Sequence, residues 1–170
     1  MVYDGAPAAS LYGIDIEAAF KSLGYELLLD EGKLQSHFIV GDLIDMDLRD
    51  IRETMDVVVA SAFFHIFSRA KQLVIVQTLI SVLRPQPGSM IIGAHLGCTN
   101  PAEYELSLGS PKSFRHSPES FAQLWEEAAK LIETKWKVEC SIDTIGMVGN
   151  EHMGWAEPNK RRLVYTVTMK

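Results

Sequence analysis

Apolar residues along this 170-residue chain recur in short strand-like runs that alternate with longer runs at helical spacing. In the first half, this pattern predicts strands over 11–15, 37–40 and 56–61, and helices over 16–28, 47–55 and 68–83. The run over 56–61 is continuous and β-branched, which is typical of a parallel strand buried on both faces. The helix over 68–83 stops at a segment rich in proline and glycine.

The second half of the chain continues the alternation of strands and helices and then ends in two strands with no helix between them. A strand is predicted over 89–95 and a loop over 97–116, and Ser117-Pro118-Glu119 predicts the start of a helix that runs to about residue 135. Strands over 137–145 and 162–169 have no helix between them, which favours an antiparallel hairpin. We therefore expect one α/β domain over residues 1–170, with a mainly parallel sheet that ends in an antiparallel hairpin.

Composition narrows the class of partner. The net charge is -6, and the main basic cluster is Lys160-Arg161-Arg162, so a nucleic-acid partner is not expected. The longest apolar run is well short of the ~20 residues that a membrane span needs. No signal-peptide pattern opens the chain, and Cys98 and Cys140 lack metal-ligand or disulfide spacing, so we expect a cytoplasmic protein without a metal site.

The three strand ends near Asp15, Asp42 and Ser61, with the segment 83–88, resemble class I S-adenosylmethionine-dependent methyltransferases. More closely, residues 2–7, 11–15 and 161–165 resemble methyltransferases of fungal meroterpenoid and polyketide gene clusters. The likeness covers nearly the whole chain. It implies a Rossmann-like fold.

The resemblance also implies a cofactor site. It assigns Asp15 to the ribose hydroxyls, Asp42 with Leu43 to the adenine, and Ser61 to the same crevice. Ligands in such folds bind at the carboxyl ends of parallel strands, where these residues are predicted to lie. For Asp15, a helix cap explains the residue equally well.

The family's first strand and its Gly-x-Gly-x-Gly turn would precede residue 2, and we expect them to be missing here. In the family, that strand lies between the strands that end at Asp15 and Ser61, so its absence would leave backbone groups unpaired on two edges. Direct pairing of the two strands, a partner chain or a homodimer would each resolve this. We expect a homodimer.

Two histidines are candidates for acid-base chemistry. His65 follows one predicted strand and His95 ends the next, so both are expected at one end of the sheet. A buried histidine satisfied by a backbone bond is the alternative for His65. The candidate substrate-binding residues are Phe63, Phe64, Phe67, Tyr104, His116, His152, Met153 and Trp155. For the phenylalanines, core packing is an equal alternative.

Three functions are compatible with these features. The preferred one is a methyltransferase-like enzyme of natural-product biosynthesis that needs no cofactor and cyclises or isomerises a terpenoid or polyketide intermediate through positioning and acid-base catalysis. The second is a genuine S-adenosylmethionine-dependent methyltransferase of a small molecule, completed by another chain or segment. The third is a non-catalytic partner of a full-length homologue.

Overall fold

The protein is described here as a computed structural model that covers residues 2, 5–105, 111–143 and 159–170. Its contacts divide into two compact units, Met1–Asp47 and Leu48–Lys170. The α/β fold class predicted from the sequence is confirmed, and the strand pairing is mixed parallel and antiparallel. A single domain over residues 1–170 stays a prediction.

The first unit contains a small parallel sheet and one helix. The strands are β1 (Tyr12–Asp15) and β2 (His37–Val40), and the helix between them is α1 (Ala19–Leu28). Tyr12 pairs with His37 and Asp15 pairs with Val40, so the two strands end side by side. The apolar positions of α1 are largely exposed, with Phe20 at 57%, Leu23 at 53% and Leu27 at 82%.

The second unit is built on a four-stranded sheet covered by helices. Its strands are β3 (Val57–Val59), β4 (Met90–Cys98), β7 (Trp136–Asp143) and β8 (Lys160–Met169), in the order β3-β4-β8-β7. β3 runs parallel to β4, whereas β8 is antiparallel to both of its neighbours. The predicted closing hairpin of antiparallel strands is therefore confirmed.

Two helices pack with the sheet to form the core of this unit. They are α2 (Arg69–Val82) and α3 (Pro118–Leu131). The Ser68 side chain caps α2, and Ser117 caps α3 in a capping box with Ser120, as expected of a serine before a helix. Fully buried side chains are Ile75 and Val76 of α2, Phe121, Leu124 and Trp125 of α3, and Ile91, Leu163 and Val167 of the sheet.

Three predictions about local structure were wrong. The strand near 56–61 is not buried on both faces, because Val57 and Val59 share a face that is about half exposed. The segment 47–55 forms only a 3-10 turn at Arg49–Ile51, after which Glu53 adopts a φ of 57° that ends any helix. The predicted loop after β4 contains a hairpin of β5 (Ala102–Glu105) and β6 (Lys112–Arg115).

Candidate functional site

His65 and His95 lie next to each other in the second unit. His65 sits in a 3-10 turn, Phe64–Ile66, that follows β3, and His95 lies on the neighbouring strand β4. Their rings stack with centroids 6.2 Å apart and an interplanar angle of 19°. The two histidines predicted to face one space are thus brought together, although a catalytic role for them stays a prediction.

Burial keeps both histidines uncharged. His95 is 4% exposed, and burial, with smaller contributions from His65 and His116, lowers its pKa to about 3. Burial also lowers the pKa of His65, and the nearby charges of Arg115 and Lys160 lower it further. Three ring nitrogens are buried without a hydrogen-bond partner among the residues that the structure describes. They are both nitrogens of His95 and the Nδ1 of His65. The pair therefore offers neutral imidazoles whose polar atoms are unsatisfied.

Aromatic rings enclose His95 on the core side. The ring centroids of Phe64, Phe121 and Tyr165 lie 5.7, 5.2 and 5.3 Å from that of His95. Phe64 is fully buried, which favours the core-packing alternative for this residue, and a substrate contact for it stays a prediction. Phe63 and Phe67 are half-buried and pack edge to face at 5.0 Å, so a substrate contact stays possible for them as a prediction.

Tyr104 and Arg115 meet across the hairpin of β5 and β6. The guanidinium carbon of Arg115 lies 4.1 Å from the centre of the Tyr104 ring, which is cation-π geometry. Arg115 is 4% exposed, and its charge is one of the causes of the lowered pKa of His65. Sequence reasoning named Tyr104 but missed Arg115, because the hairpin that positions it was interpreted as a loop.

His116 belongs to the core rather than to a ligand-binding surface. It is fully buried, and its Nδ1 lies 2.8 Å from Ser120 Oγ and its Nε2 lies 2.8 Å from Gln72 Oε1. Gln72 donates its amide group to the carbonyls of Phe67 and Phe114, so its oxygen accepts and His116 Nε2 must donate. Both ring nitrogens are engaged inside the core, which favours a structural role for His116, and its contact with a substrate stays a prediction.

His152, Met153 and Trp155, which were also predicted to bind substrate, lie outside the described residues. Within the described ranges, no group of three metal-binding side chains was found. Nor does any helix in those ranges reach the length and hydropathy needed to cross a membrane.

Asp15 and Asp42 lie at the carboxyl ends of the two parallel strands in the first unit. Asp15 ends β1, Asp42 follows β2, and the N–H of Gly41 donates to the Asp15 carbonyl at 3.0 Å. Each carboxylate uses one oxygen locally: Asp15 Oδ1 accepts from the Glu17 N–H at 2.9 Å, and Asp42 Oδ1 accepts from the Ile44 N–H at 3.0 Å. Asp15 therefore closes a local turn and does not cap α1, whose N-cap is Ala18, and among the described residues each carboxylate has a second oxygen outside its turn bond.

Leu43 and Ser61 complete the predicted cofactor residues. Leu43 is half-buried directly after Asp42 in the first unit. Ser61 is exposed in the second unit, in the turn after β3. Both stand near the carboxyl end of a parallel strand, as the sequence predicts, and their contact with a cofactor stays a prediction.

Fungal methyltransferases are similar to this chain in sequence. O-methyltransferase phiE of Fungal sp. (strain ATCC 74256) is 34% identical over 141 residues, which are 81% of this chain and 47% of that protein. Methyltransferase prhM of Penicillium brasilianum is 34% identical over 143 residues, 82% of this chain and 51% of that protein. The chain thus spans about half the length of these curated relatives. No protein-family model matches it.

Solved methyltransferase structures are similar to it in fold. The 1,6-didemethyltoxoflavin-N1-methyltransferase of Burkholderia thailandensis matches 99% of this chain and 74% of its own, with a TM-score of 0.64 at 12% identity. The [4+2]-cyclase SpnF matches 92% of this chain and 65% of its own, with a TM-score of 0.65 at 11% identity. The relatives at 34% identity show that the chain belongs to the class I methyltransferase family, and the solved structures show the fold alone. Within that family, the curated relatives to which it is similar are fungal methyltransferases.

Proposed function

We propose that this chain acts in S-adenosylmethionine-dependent methyl transfer to a small-molecule substrate of fungal secondary metabolism. The observation that carries the proposal is the sequence relationship to fungal methyltransferases at 34% identity over more than four fifths of the chain. This relationship favours the second function considered from the sequence. It does not support the expectation that the chain works without a cofactor.

The carboxylates of the first unit fit a ribonucleoside. Asp15 and Asp42 end neighbouring parallel strands, and each has one carboxylate oxygen that is not used in its local turn bond. A carboxylate in this position accepts hydrogen bonds from ribose hydroxyls. Asp15 would hold the ribose, and Asp42 with Leu43 would border the adenine. When bound, S-adenosylmethionine supplies an electrophilic methyl group.

The histidine pair of the second unit suits removal of a proton from an acceptor hydroxyl. His65 is partly accessible, and its lowered pKa means that the neutral, proton-accepting form prevails at pH 7. His95, with a pKa of about 3, cannot act as a cationic acid at that pH. We assign His65 as the base and His95 as a neutral hydrogen-bonding group. Phe63, Phe67 and Tyr104 would contact an apolar acceptor beside them.

Calorimetric titration with S-adenosylhomocysteine tests the cofactor half of this proposal. The expected result is saturable binding that weakens about tenfold or more in Asp15→Asn and Asp42→Asn, because each loses a charged acceptor worth about 1.5–3 kcal/mol. Asp45→Asn is the matched control, because Asp45 is exposed in the same turn as Asp42. Absence of saturable binding by the wild-type chain would instead favour cofactor-free cyclisation or the non-catalytic partner.

A further inference from the structure

The hydroxyl of Tyr165 reaches from β8 across β4 to the end of β3. It donates to the carbonyl of Ala60 at 2.5 Å, and the Tyr165 side chain is almost fully buried. The strand between them is crossed at Gly93, which pairs with Tyr165 in the β4-β8 register. A Cβ at Gly93 would lie 2.5 Å from the Ala60 oxygen and 2.6 Å from the Tyr165 hydroxyl. Any side chain at position 93 would therefore collide with the hydrogen bond between the Tyr165 hydroxyl and the Ala60 carbonyl.

Ala60 is the first residue of the turn that carries Ser61 to His65. The Ala60 N–H donates to the carbonyl of Ile92 at 2.9 Å, and the Ala62 N–H donates to that of Ala94 at 2.7 Å. Ala62 has a φ of 53°, a left-handed conformation that is costly for alanine. Surrounding bonds must therefore hold the turn in place, and the Tyr165 hydroxyl supplies the side-chain bond at its start.

The same tyrosine contacts the group against which His65 stacks. The Tyr165 ring lies 5.3 Å from His95 and 6.0 Å from Phe64, centroid to centroid. Phe64 directly precedes His65 and is buried in the core. Tyr165 therefore touches the turn at its first residue through the hydroxyl, and the inner wall of the histidine pair through its ring.

We propose that Tyr165 is a positioning residue for His65, whose hydrogen bond to Ala60 across Gly93 sets the turn that places the His65 ring against His95. The assignment of His65 as a base rests on the proposed function, whereas the placement of its ring by Tyr165 does not. Burial raises the pKa of Tyr165, so its hydroxyl stays protonated and donates at all ordinary pH values.

Histidine titration by NMR on the full chain separates positioning from general packing. In Tyr165→Phe, the ring stays in the core but the hydroxyl is lost, so the turn is expected to loosen and His65 to gain water. The pKa of His65, which burial, Arg115 and Lys160 hold low, should then rise toward 6.5. The pKa of His116 should not change, because Gln72 and Ser120 hold that ring.

Amide exchange provides a second measurement on the same samples. The Ala62 amide should exchange faster in Tyr165→Phe, while the amides at the centre of α3 keep their protection. Tyr12→Phe is the matched control, because Tyr12 lies in the other unit and is 40% exposed, and it should reproduce the wild-type values.

The proposal is overturned if the pKa of His65 is the same in Tyr165→Phe and wild type. It is also overturned if the pKa values of His65 and His116 move together, or if Tyr165→Phe does not fold, since the hydroxyl would then support the whole unit rather than the turn. None of these measurements requires methyl transfer. A failure of the positioning proposal can therefore be told apart from a failure of the proposed function.

Discussion

Acidification from pH 7 to pH 5 should destabilise the second unit through two buried histidines. Burial lowers the pKa of His95 to about 3 and that of His116 to about 4, from an ordinary value of 6.5. At pH 5, both side chains therefore remain neutral in the folded protein, whereas both take up a proton on unfolding. Because the unfolded state binds more protons, the free energy of unfolding falls as the pH drops below 6.5 toward the folded-state pKa values.

The size of the effect follows from the distance between pH 5 and the unfolded-state pKa. The unfolded-state pKa of 6.5 lies about 1.5 pH units above pH 5, and each pH unit is worth about 1.4 kcal/mol. Each histidine therefore lowers the free energy of unfolding by ~2 kcal/mol at pH 5, and the two together lower it by ~4 kcal/mol. The result does not depend on the folded-state values as long as both stay below 5. His65 contributes in the same direction, because its pKa is lowered as well. Against a total stability of about 5–15 kcal/mol, this loss is large.

Urea unfolding at pH 7 and pH 5 measures the difference directly. Above pH 5, most carboxylates stay ionised, so they contribute little. The variants His95→Phe and His116→Phe should each reduce the difference between the two pH values by ~2 kcal/mol, and comparison within each variant cancels its own loss of stability. Leu27→Ala, at an exposed position on α1 that carries no titratable group, should keep the wild-type difference. Equal unfolding free energies of the wild type at both pH values would refute the reasoning, as would the full wild-type difference in a protein that carries both His95→Phe and His116→Phe.

Further predictions concern packing, capping and assembly. Gly93→Ala should lower the unfolding free energy by about 1–3 kcal/mol, because its Cβ would meet the Ala60 oxygen at 2.5 Å, whereas Gly24→Ala, with nothing within 4 Å, should raise it by about 0.5–1 kcal/mol in the same urea assay. Ser117→Ala removes the acceptor for the Ser120 N–H at 3.3 Å and should cost about 1 kcal/mol, while Ser10→Ala, at an exposed position, should not. Light scattering should give twice the chain mass of 19.0 kDa if the predicted homodimer forms, and a stable monomer would contradict it.

Local signals predicted most of the regular structure. The Ser117-Pro118-Glu119 sequence places the start of α3 at Pro118, since a capping serine and a proline define that boundary through short-range bonds. The end of α3 was predicted less well, because the helix stops at Leu131 and Glu133 then adopts a φ of 54°. Two strand-like runs with no helical pattern between them also predicted β7 and β8 as an antiparallel hairpin.

Features that depend on distant partners could not be predicted in this way. The half-exposed face of β3 depends on which other elements cover that face of the sheet, and a β-branched run does not reveal this. The burial of His116 depends on Gln72, 44 residues earlier in the chain. The electrostatic effect of Arg115 on His65 likewise depends on the hairpin of β5 and β6, whose four-residue strands were interpreted as part of a loop.

The candidate site was therefore predicted in part. Strand ends placed Asp15, Asp42, His65 and His95 at the carboxyl ends of strands or close to them, because the order of elements alone implies this. The residues that pack against each of these side chains could not be predicted from the sequence. The choice between core and ligand contact for Phe64 required knowledge of its burial.

Transfer of a labelled methyl group tests the central claim most directly. The chain would be incubated with S-adenosylmethionine carrying a tritiated methyl group and a panel of terpenoid and polyketide acceptors with free hydroxyl groups. We expect label to appear in the organic-extractable product with wild type and to fall by about 10²–10⁴-fold in His65→Gln, which loses the proposed base. An acceptor that is rearranged without S-adenosylmethionine, with no label transferred, would contradict the account.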